Sequence, residues 1–289
     1  MDLPIDITIP FFAYGIFQPG QIAYFKLEPF VESATKAEIN GNLAIRDGLA
    51  LYTSGGSNIV DGYALSFKPD CVKTAYEEIA GLEPDHYYKW ATISSKGKKY
   101  NVLEGKYPGR GGRPIDDKES LDSWKDPMFT AALAVIKEEI DSAKYDWDFH
   151  NFFRLQMAYM LLWSSIERYL TLRYRLGGDK VVDKIKLLDA DKMFVTGLKK
   201  YVTEETQPLY RTDNPKERDL RLDPANPKRS REYYYQMRSN ITHRGKSQVR
   251  DYERLKYALE TLTFIFQNML HSAGQEAEAI KRQIDEAYQ

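Results

Sequence analysis

Tyr233-Tyr-Tyr-Gln-Met-Arg-Ser-Asn-Ile-Thr-His-Arg-Gly245 is the stretch around which this chain of 289 residues is organised. It predicts the end of a helix, because Gly245 readily takes the left-handed conformation of a C-terminal cap. Four residues separate Arg238 from His243, and five steps turn a helix by roughly 140°, so the two side chains flank one ridge. Asn240 and His243 are three residues apart and share a face. The stretch therefore gathers a cation, an amide and an imidazole on one part of a helix.

Basic residues concentrate around this stretch. The segment from Lys228 to Arg250 has seven Lys or Arg residues and one acidic residue, although the formal net charge of the whole chain is −1. Such local positive charge suits a polyanion such as RNA. A solvated helix face explains the same residues individually. We expect RNA contacts from Arg231, Arg244 and Lys246.

The motif of Arg238, Asn240 and His243, followed by a glycine, resembles the active-site signature of HEPN-domain ribonucleases. Upstream, Leu161-Leu-Trp-Ser-Ser-Ile-Glu-Arg-Tyr-Leu170 is similar to that family's early core helix, where a glutamate often faces the Arg/His pair. The resemblance implies that Arg238, His243 and Asn240 are catalytic and that Glu167 holds Arg238 in place. A surface ion pair with a nearby arginine is the alternative role of Glu167.

The same resemblance implies an RNA-cleaving enzyme that needs no metal and no cofactor. It implies a homodimer in which two motifs face one cleft, and a role as a toxin or an antiphage effector with an antitoxin or other regulatory partner. His243 would then move protons, Arg238 would stabilise charge on the phosphate, and Asn240 would position the scissile group or hold His243. The alternative is a helical module that binds RNA or a protein without chemistry.

Residues 1–104 predict an α+β domain on a curved sheet or small barrel. A helical spacing at Asp70–Ala80 interrupts a series of β-branched and aromatic runs, and most neighbouring runs are separated by turns that contain glycine. The predicted strands are Ile7–Tyr14, Ser33–Ile39, Leu43–Leu51, Val60–Phe67, Tyr87–Ile93 and Lys99–Leu103.

Phe12-Ala-Tyr-Gly-Ile-Phe-Gln-Pro-Gly20 resembles the opening motif of the gamma-glutamylcyclotransferase-like family, and Val60-Asp-Gly-Tyr-Ala-Leu resembles its middle strand. Glu77-Glu-Ile-Ala-Gly81 lies where that family ends its helix. The resemblance implies that the tight turn binds a ligand through backbone N–H groups, at Tyr14, Gly15, Ile16 and Phe17. Ala80 occupies the position of the family's acid/base glutamate and cannot transfer a proton. We therefore expect a sensor or scaffold domain, with an active cyclotransferase as the alternative.

Residues 105–125 predict a linker, because Gly105–Pro114 contains four glycines and two prolines. Residues 126–289 predict an all-α helical bundle. Its apolar residues recur at helical spacing in segments separated by glycines, prolines and a long polar loop over Glu204–Pro227. The first predicted helix begins at Pro127. The others span Phe149–Leu176, Lys180–Leu188, Ala190–Thr203, Ser230–Arg244 and Asp251–Ala273, and the tail Gln275–Tyr288 extends the last of them.

Several function classes are disfavoured by composition. Cys71 is the single cysteine, which rules out an internal disulfide framework and a cysteine-based zinc site. Asp146-Trp-Asp-Phe-His150 offers metal-ligand side chains, but an aspartate cap at the start of a helix explains it more simply. No secretory signal is visible, and the longest apolar run, Met157–Trp163, is too short for a bilayer. We expect a cytoplasmic protein without a membrane partner.

Overall fold

The computed structural model describes residues 1–46, 49–83, 85–107, 110, 112–115, 124, 127–142, 148–174, 181–203, 206, 209, 220–244 and 249–287. The chain forms two compact units. The first comprises Met1–Pro127, Leu172–Gly177 and Ala273–Gln289, and the second comprises Met128–Thr171 and Gly178–Ser272. The N-terminal part is α+β and the C-terminal part is helical, as the sequence predicts.

The first unit is built on a curled sheet with the strand order β2-β5-β1-β7-β4-β3-β8, in which β6 pairs with β7. Its strands are β1 Phe11–Ala13, β2 Val31–Asn40, β3 Asn42–Arg46, β4 Leu49–Thr53, β5 Ile59–Phe67, β6 Tyr88–Ser95, β7 Lys98–Gly105 and β8 Arg113–Pro114. Neighbouring strands are antiparallel except that β7 runs parallel to β1 and to β4. The strand predictions are confirmed in position, except that Ile7–Tyr14 is a strand only at Phe11–Ala13 and that Leu43–Leu51 is divided into β3 and β4.

Helix α1 (Tyr24–Leu27) and helix α2 (Val72–Leu82) belong to the same unit. Tyr76 of α2 is fully buried, and its ring contacts that of Phe11 edge-on, at 6.5 Å between centroids. Its hydroxyl donates to the Ile9 carbonyl at 2.5 Å. Burial raises the pKa of Tyr76, so this donor stays protonated. The buried aromatic cluster fixes α2 against the sheet.

Part of the predicted linker is a strand. Arg113 and Pro114 form β8, which pairs with β3 at Ile45 and Ala44. Proline is tolerated there because β8 lies at the edge of the sheet, where one N–H of the ladder is not needed. The linker prediction for residues 105–125 is therefore wrong at these two residues and at Gly105, the last residue of β7.

The second unit is mainly helical. The helices that contribute to it are α3 Pro127–Ser142, α4 Phe149–Tyr174, α5 Val181–Lys186, α6 Lys192–Tyr201, α7 Pro227–Arg244 and α8 Val249–Ala287, with a 3₁₀ turn at Leu187–Ala190 between α5 and α6. Pro127, the end of α4 from Leu172 and the end of α8 from Ala273 belong to the first unit. The predicted apolar stripe of α4 is its core face, since Leu155, Leu162 and Leu170 are fully buried. No helix within the described ranges is long and apolar enough to cross a membrane.

The C-terminal end of α8 packs with the first unit, so the predicted domain over residues 126–289 does not coincide with the second unit. Ile280 and Ile284 pack against the core of the sheet. A Cβ atom on Gly20 would lie 2.2 Å from the Ala277 carbonyl oxygen, and Gly20 has a φ of 78°. A glycine is thus required at this close approach, for both space and backbone conformation.

Candidate functional site

Helix α7 carries the Arg/His motif, and its start is set by the residues before it. Asn226 accepts a hydrogen bond through Oδ1 from the Arg229 backbone N–H at 3.1 Å, and Pro227 is the first helical residue. A side-chain cap followed by proline suits a helix start, because the first backbone N–H groups have no partner inside the helix. The predicted cap at the other end, Gly245, lies outside the described residues.

The three tyrosines of α7 divide between the core and the site. Tyr233 and Tyr234 are fully buried, so they are core residues and cannot stack on bases. The Tyr234 hydroxyl hydrogen-bonds to that of Thr261 at 2.9 Å, and burial raises the pKa of Tyr234. Tyr235 packs edge-on against Trp163, at 5.9 Å between ring centroids. The Arg238 guanidinium carbon lies 5.8 Å from the centroid of the Tyr235 ring.

Arg238 faces Glu167 of α4, as the sequence predicts. Its Nη2 lies 3.8 Å from Glu167 Oε1, and both side chains retain about a quarter of their exposure, at 23% and 25%. At this distance the pair is an electrostatic contact rather than a direct hydrogen bond. Arg238 Nε and Glu167 Oε1 are buried atoms that make no hydrogen bond within the described residues. The Arg238 guanidinium thus lies close to both the carboxylate of Glu167 and the ring of Tyr235.

The electrostatics of Glu167 reflect its half-buried position. Desolvation raises the pKa of its carboxyl, while Arg238 and Lys184 lower it, and desolvation is the largest cause. Lys184 of α5 donates to Thr171 Oγ1 at 3.3 Å, and Thr171 in turn donates to the Glu167 carbonyl at 2.8 Å. The cluster therefore holds two cations and one carboxyl. No signal in the sequence points to Lys184, because α5 is a short helix and no local pattern links it to α4.

Asn240 lies on the next part of α7 and is held by its own helix. Gln236 Nε2 donates to Asn240 Oδ1 at 2.9 Å. Thr242 Oγ1 donates to the Arg238 carbonyl at 3.0 Å and lies 3.8 Å from Met160 Sδ of α4. These contacts fix the surface of α7 beside Arg238.

His243 is a residue of α7 by its backbone, and its side chain lies outside the described part of the structure. The same holds for Arg244, and Lys246 lies outside the described residues altogether. The structure therefore brings Arg238 and Glu167 together. The catalytic roles of Arg238, His243 and Asn240 and the supporting role of Glu167 stay predictions.

The surroundings of Arg231 argue against the expected contact with RNA. It is 7% exposed, and its Nε and Nη2 donate to the two carboxylate oxygens of Asp189 at 3.0 and 2.9 Å. A buried, bidentate ion pair of this kind holds α7 to the 3₁₀ turn Leu187–Ala190. We correct the expectation for this residue, since its guanidinium already has a protein carboxylate as its partner.

The tight turn at Tyr14–Phe17 in the first unit has the backbone that the sequence predicts. Gly15 has a φ of 68° and begins a 3₁₀ turn. The Tyr14 hydroxyl donates to the Leu103 carbonyl at 2.5 Å and accepts from the Tyr52 N–H at 3.1 Å. Ile16 accepts through its carbonyl from the Ala23 N–H at 3.0 Å. Tyr14 is a core anchor here, and ligand contact by Tyr14, Gly15, Ile16 or Phe17 stays a prediction.

The helix end beside this turn carries no acid/base group at the expected place. Ala80 is a buried residue of α2. Glu83 follows the last residue of α2, is also buried, and acts electrostatically on Tyr14 of the turn. The pKa of Tyr14 is raised, first by burial and also by the charge of Glu83. Glu83 is near Ala80 in the sequence but does not occupy the position of the family's glutamate.

Asp148 caps α4, which confirms the helix-start interpretation of this aspartate. Its Oδ1 accepts from the Asn151 N–H at 2.6 Å, and its carbonyl accepts from the Phe152 N–H at 3.0 Å. Asp146 lies outside the described residues.

Comparison with protein-family models, with curated proteins and with solved structures finds no match for this chain.

Proposed function

We propose that the helical part of this protein is a metal-independent endoribonuclease of the HEPN type. The observation that carries the proposal is the placement of Arg238, which lies beside Glu167 and the ring of Tyr235 on the helix that also bears His243. Arg238 and Lys184 together outweigh the charge of Glu167, so the cluster favours an anion such as a backbone phosphate.

The reaction needs a base, an acid and a group that stabilises charge on phosphorus. His243 takes the proton of an RNA 2′-hydroxyl, the 2′ oxygen bonds to phosphorus, and the bond from phosphorus to the 5′ oxygen breaks. A proton is then returned to the 5′ oxygen, which leaves a 2′,3′-cyclic phosphate and a 5′-hydroxyl. Arg238 stabilises the charge on the phosphate oxygens as they gain it. Asn240 positions the scissile group or orients His243.

A second copy of the chain would supply the further proton-transfer group. The second unit has an apolar groove of about 350 Å³ between α3 and α4, lined by residues that include Met128, Val135 and Leu161. On α4, Met157 is 72% exposed. Exposed apolar side chains in this number are typical of an interaction surface. Two copies related by a two-fold axis bury such a surface, and that symmetry is the commonest among soluble oligomers.

The resemblance to HEPN ribonucleases adds a biological role to the proposal. The protein acts in the cytoplasm as a toxin or antiphage effector, and an antitoxin or another regulatory partner restrains it. The first unit serves as a sensor or scaffold that resembles gamma-glutamylcyclotransferases. Ala80 supports the absence of cyclotransferase chemistry there, because its methyl group cannot exchange a proton.

The test compares RNA cleavage by wild-type protein with cleavage by Arg238→Ala, His243→Ala and Lys228→Ala variants, in buffer containing EDTA. Lys228 is an exposed basic residue in the first turn of α7, so its variant controls for loss of charge alone. Loss of a group that stabilises the transition state typically costs 10²–10³ in rate. We expect this loss for Arg238→Ala and His243→Ala, near wild-type rate for Lys228→Ala, and 2′,3′-cyclic phosphate ends.

Two outcomes would contradict the proposal. Equal RNA decay in all four proteins would show that the motif is not catalytic and would favour the alternative of a binding module. Formation of 5-oxoproline from gamma-glutamyl amino acids, abolished by Gly15→Val, would instead make the first unit an active cyclotransferase.

A further inference from the structure

A second candidate site lies in the first unit, next to the turn at Tyr14–Phe17, since the following residue, Gln18, contributes to its lining. A cavity of about 560 Å³ opens where β2, β5 and the turn between β6 and β7 meet. This volume is typical of small-molecule sites. The polar groups that line it include Lys36, Glu38, Asp61, Lys96, Lys98 and Tyr100.

Two carboxylates face each other on the β2–β5 wall. Glu38 lies directly opposite Asp61 in the register of the two strands, and Lys36 lies opposite Tyr63. Like charges at directly opposite positions destabilise a sheet unless a cation offsets them. Glu38 has such a partner in Lys96, at 2.5 Å. Asp61, by contrast, forms no ion pair or side-chain hydrogen bond with any residue that the structure describes.

Lys36 and Tyr63 are already engaged by the end of α8. Asp285 Oδ2 lies 2.9 Å from Lys36 Nζ, and Asp285 Oδ1 accepts from the Tyr63 hydroxyl at 3.4 Å. Burial and the charge of Asp285 raise the pKa of Tyr63 to about 12, so the hydroxyl keeps its proton. Asp285 therefore neutralises the charge of Lys36, and among the described residues this part of the cavity wall has no unpaired charge to offer a ligand.

The β6–β7 wall offers donors without a partner. Lys98 and Tyr100 are two residues apart on β7, so their side chains leave the strand on the same face. Tyr100 is 6% exposed and lines the cavity. Within the described ranges, neither the Lys98 ammonium nor the Tyr100 hydroxyl makes a hydrogen bond. An anionic group at this wall would accept from both.

Subtracting the two ion pairs leaves one carboxylate, Asp61, and one ammonium, Lys98, together with the Tyr100 hydroxyl. A purely anionic ligand would meet the opposed carboxylates, and a purely cationic ligand would meet the lysines. The geometry points to a small zwitterion, an amino acid or short peptide, whose carboxylate binds Lys98 and Tyr100 and whose ammonium binds Asp61. The ring of Tyr63 or Tyr100 offers an additional attractive face for the ammonium.

The experiment uses the full chain and pools of free amino acids and dipeptides at millimolar concentration. Thermal shift finds the pools that bind, and calorimetry then compares each binding compound with its N-acetyl and C-amide forms. We expect wild-type affinity to fall about tenfold or more for each blocked form, since each loses one charged contact. Lys98→Met should abolish the preference for acid over amide, and Asp61→Asn the preference for free amine over N-acetyl.

Lys99→Met is the matched control, because Lys99 leaves β7 on the opposite face and does not line the cavity. It should bind as wild type does. The inference is overturned if no pool raises the Tm, if blocked and free forms bind alike, or if Lys98→Met and Asp61→Asn behave as Lys99→Met does. Binding of mononucleotides in place of zwitterions would likewise overturn the ligand class. Every outcome is independent of RNA cleavage.

Discussion

Replacing Asp189 by alanine tests whether Arg231 is a structural residue. In the native protein, Arg231 Nε and Nη2 donate to Asp189 at 3.0 and 2.9 Å, and the Arg231 side chain is 9% exposed. Removing the carboxylate leaves the buried guanidinium without its bidentate partner, with only Glu232 Oε1, among the described residues, at 3.7 Å from Nη2 as a counter-charge, which is more costly than losing both partners together.

The magnitude follows from these contacts. Hydrogen bonds to charged groups contribute roughly 1.5–3 kcal/mol each, and the structure has two of them. The Asp189 side chain is 26% exposed, so water replaces part of the loss. We expect Asp189→Ala to lower the free energy of unfolding by about 3 kcal/mol, which corresponds to a fall in Tm of about 6–12 °C.

The assay is thermal unfolding followed by circular dichroism, with urea unfolding as a second measure. Asp183→Ala is the control, since Asp183 pairs with Lys186 at 2.7 Å and both side chains are more than half exposed. That exposed pair should contribute less than about 0.5 kcal/mol. An Arg231→Met/Asp189→Leu double variant should be more stable than Asp189→Ala alone.

Equal Tm values for Asp189→Ala and Asp183→Ala would refute the reasoning. So would an Arg231→Met variant that keeps the wild-type Tm but no longer binds RNA, because Arg231 would then be a surface contact after all.

Three further predictions concern other parts of the molecule. Gly20→Ala should destabilise the protein by about 2–4 kcal/mol, because the added methyl group would meet the backbone of α8. The control is Gly55→Ala, which is also at positive φ but in open space and should cost about 1 kcal/mol. Urea unfolding compares the two variants, and equal losses of stability would contradict the contact between Gly20 and α8. Glu167→Gln should raise the Tm at pH 7 more than at pH 4. Desolvation raises the pKa of Glu167, so its charged form destabilises the folded protein increasingly as pH rises above 4.5. A Tm gain that is larger at pH 4 would contradict this direction of the pKa shift. Met157→Glu should convert the proposed dimer to a monomer, as measured by light scattering. Thr130 is an exposed residue of α3, and Thr130→Glu should leave the dimer intact. A wild-type protein that is already monomeric would contradict the proposed dimer.

Local structure could be predicted from the residues alone wherever a periodic apolar pattern met a clear start or stop. The helix at Phe149–Tyr174 follows from its apolar stripe and from Asp148, whose side chain caps it. The run Leu43–Leu51 deviates from the prediction of a single strand, because its two ends pair with each other as the antiparallel strands β3 and β4, with Ala44 opposite Leu51. The pairing of Arg238 with Glu167 was predicted through a family resemblance, since the two are 71 positions apart and no local pattern joins them.

Only the tertiary structure decided which charged side chains are buried in ion pairs and which remain able to contact a ligand. Arg231 and Arg238 are seven residues apart on one basic helix, yet the first is buried against Asp189 and the second lies beside a half-buried carboxylate. Composition cannot separate them, because burial depends on the elements that pack against each side chain. The same reason explains why Pro114 of an apparent linker pairs with β3, why Ile280 and Ile284 pack with a sheet that begins the chain, and why Asp61 and Lys98 line one cavity.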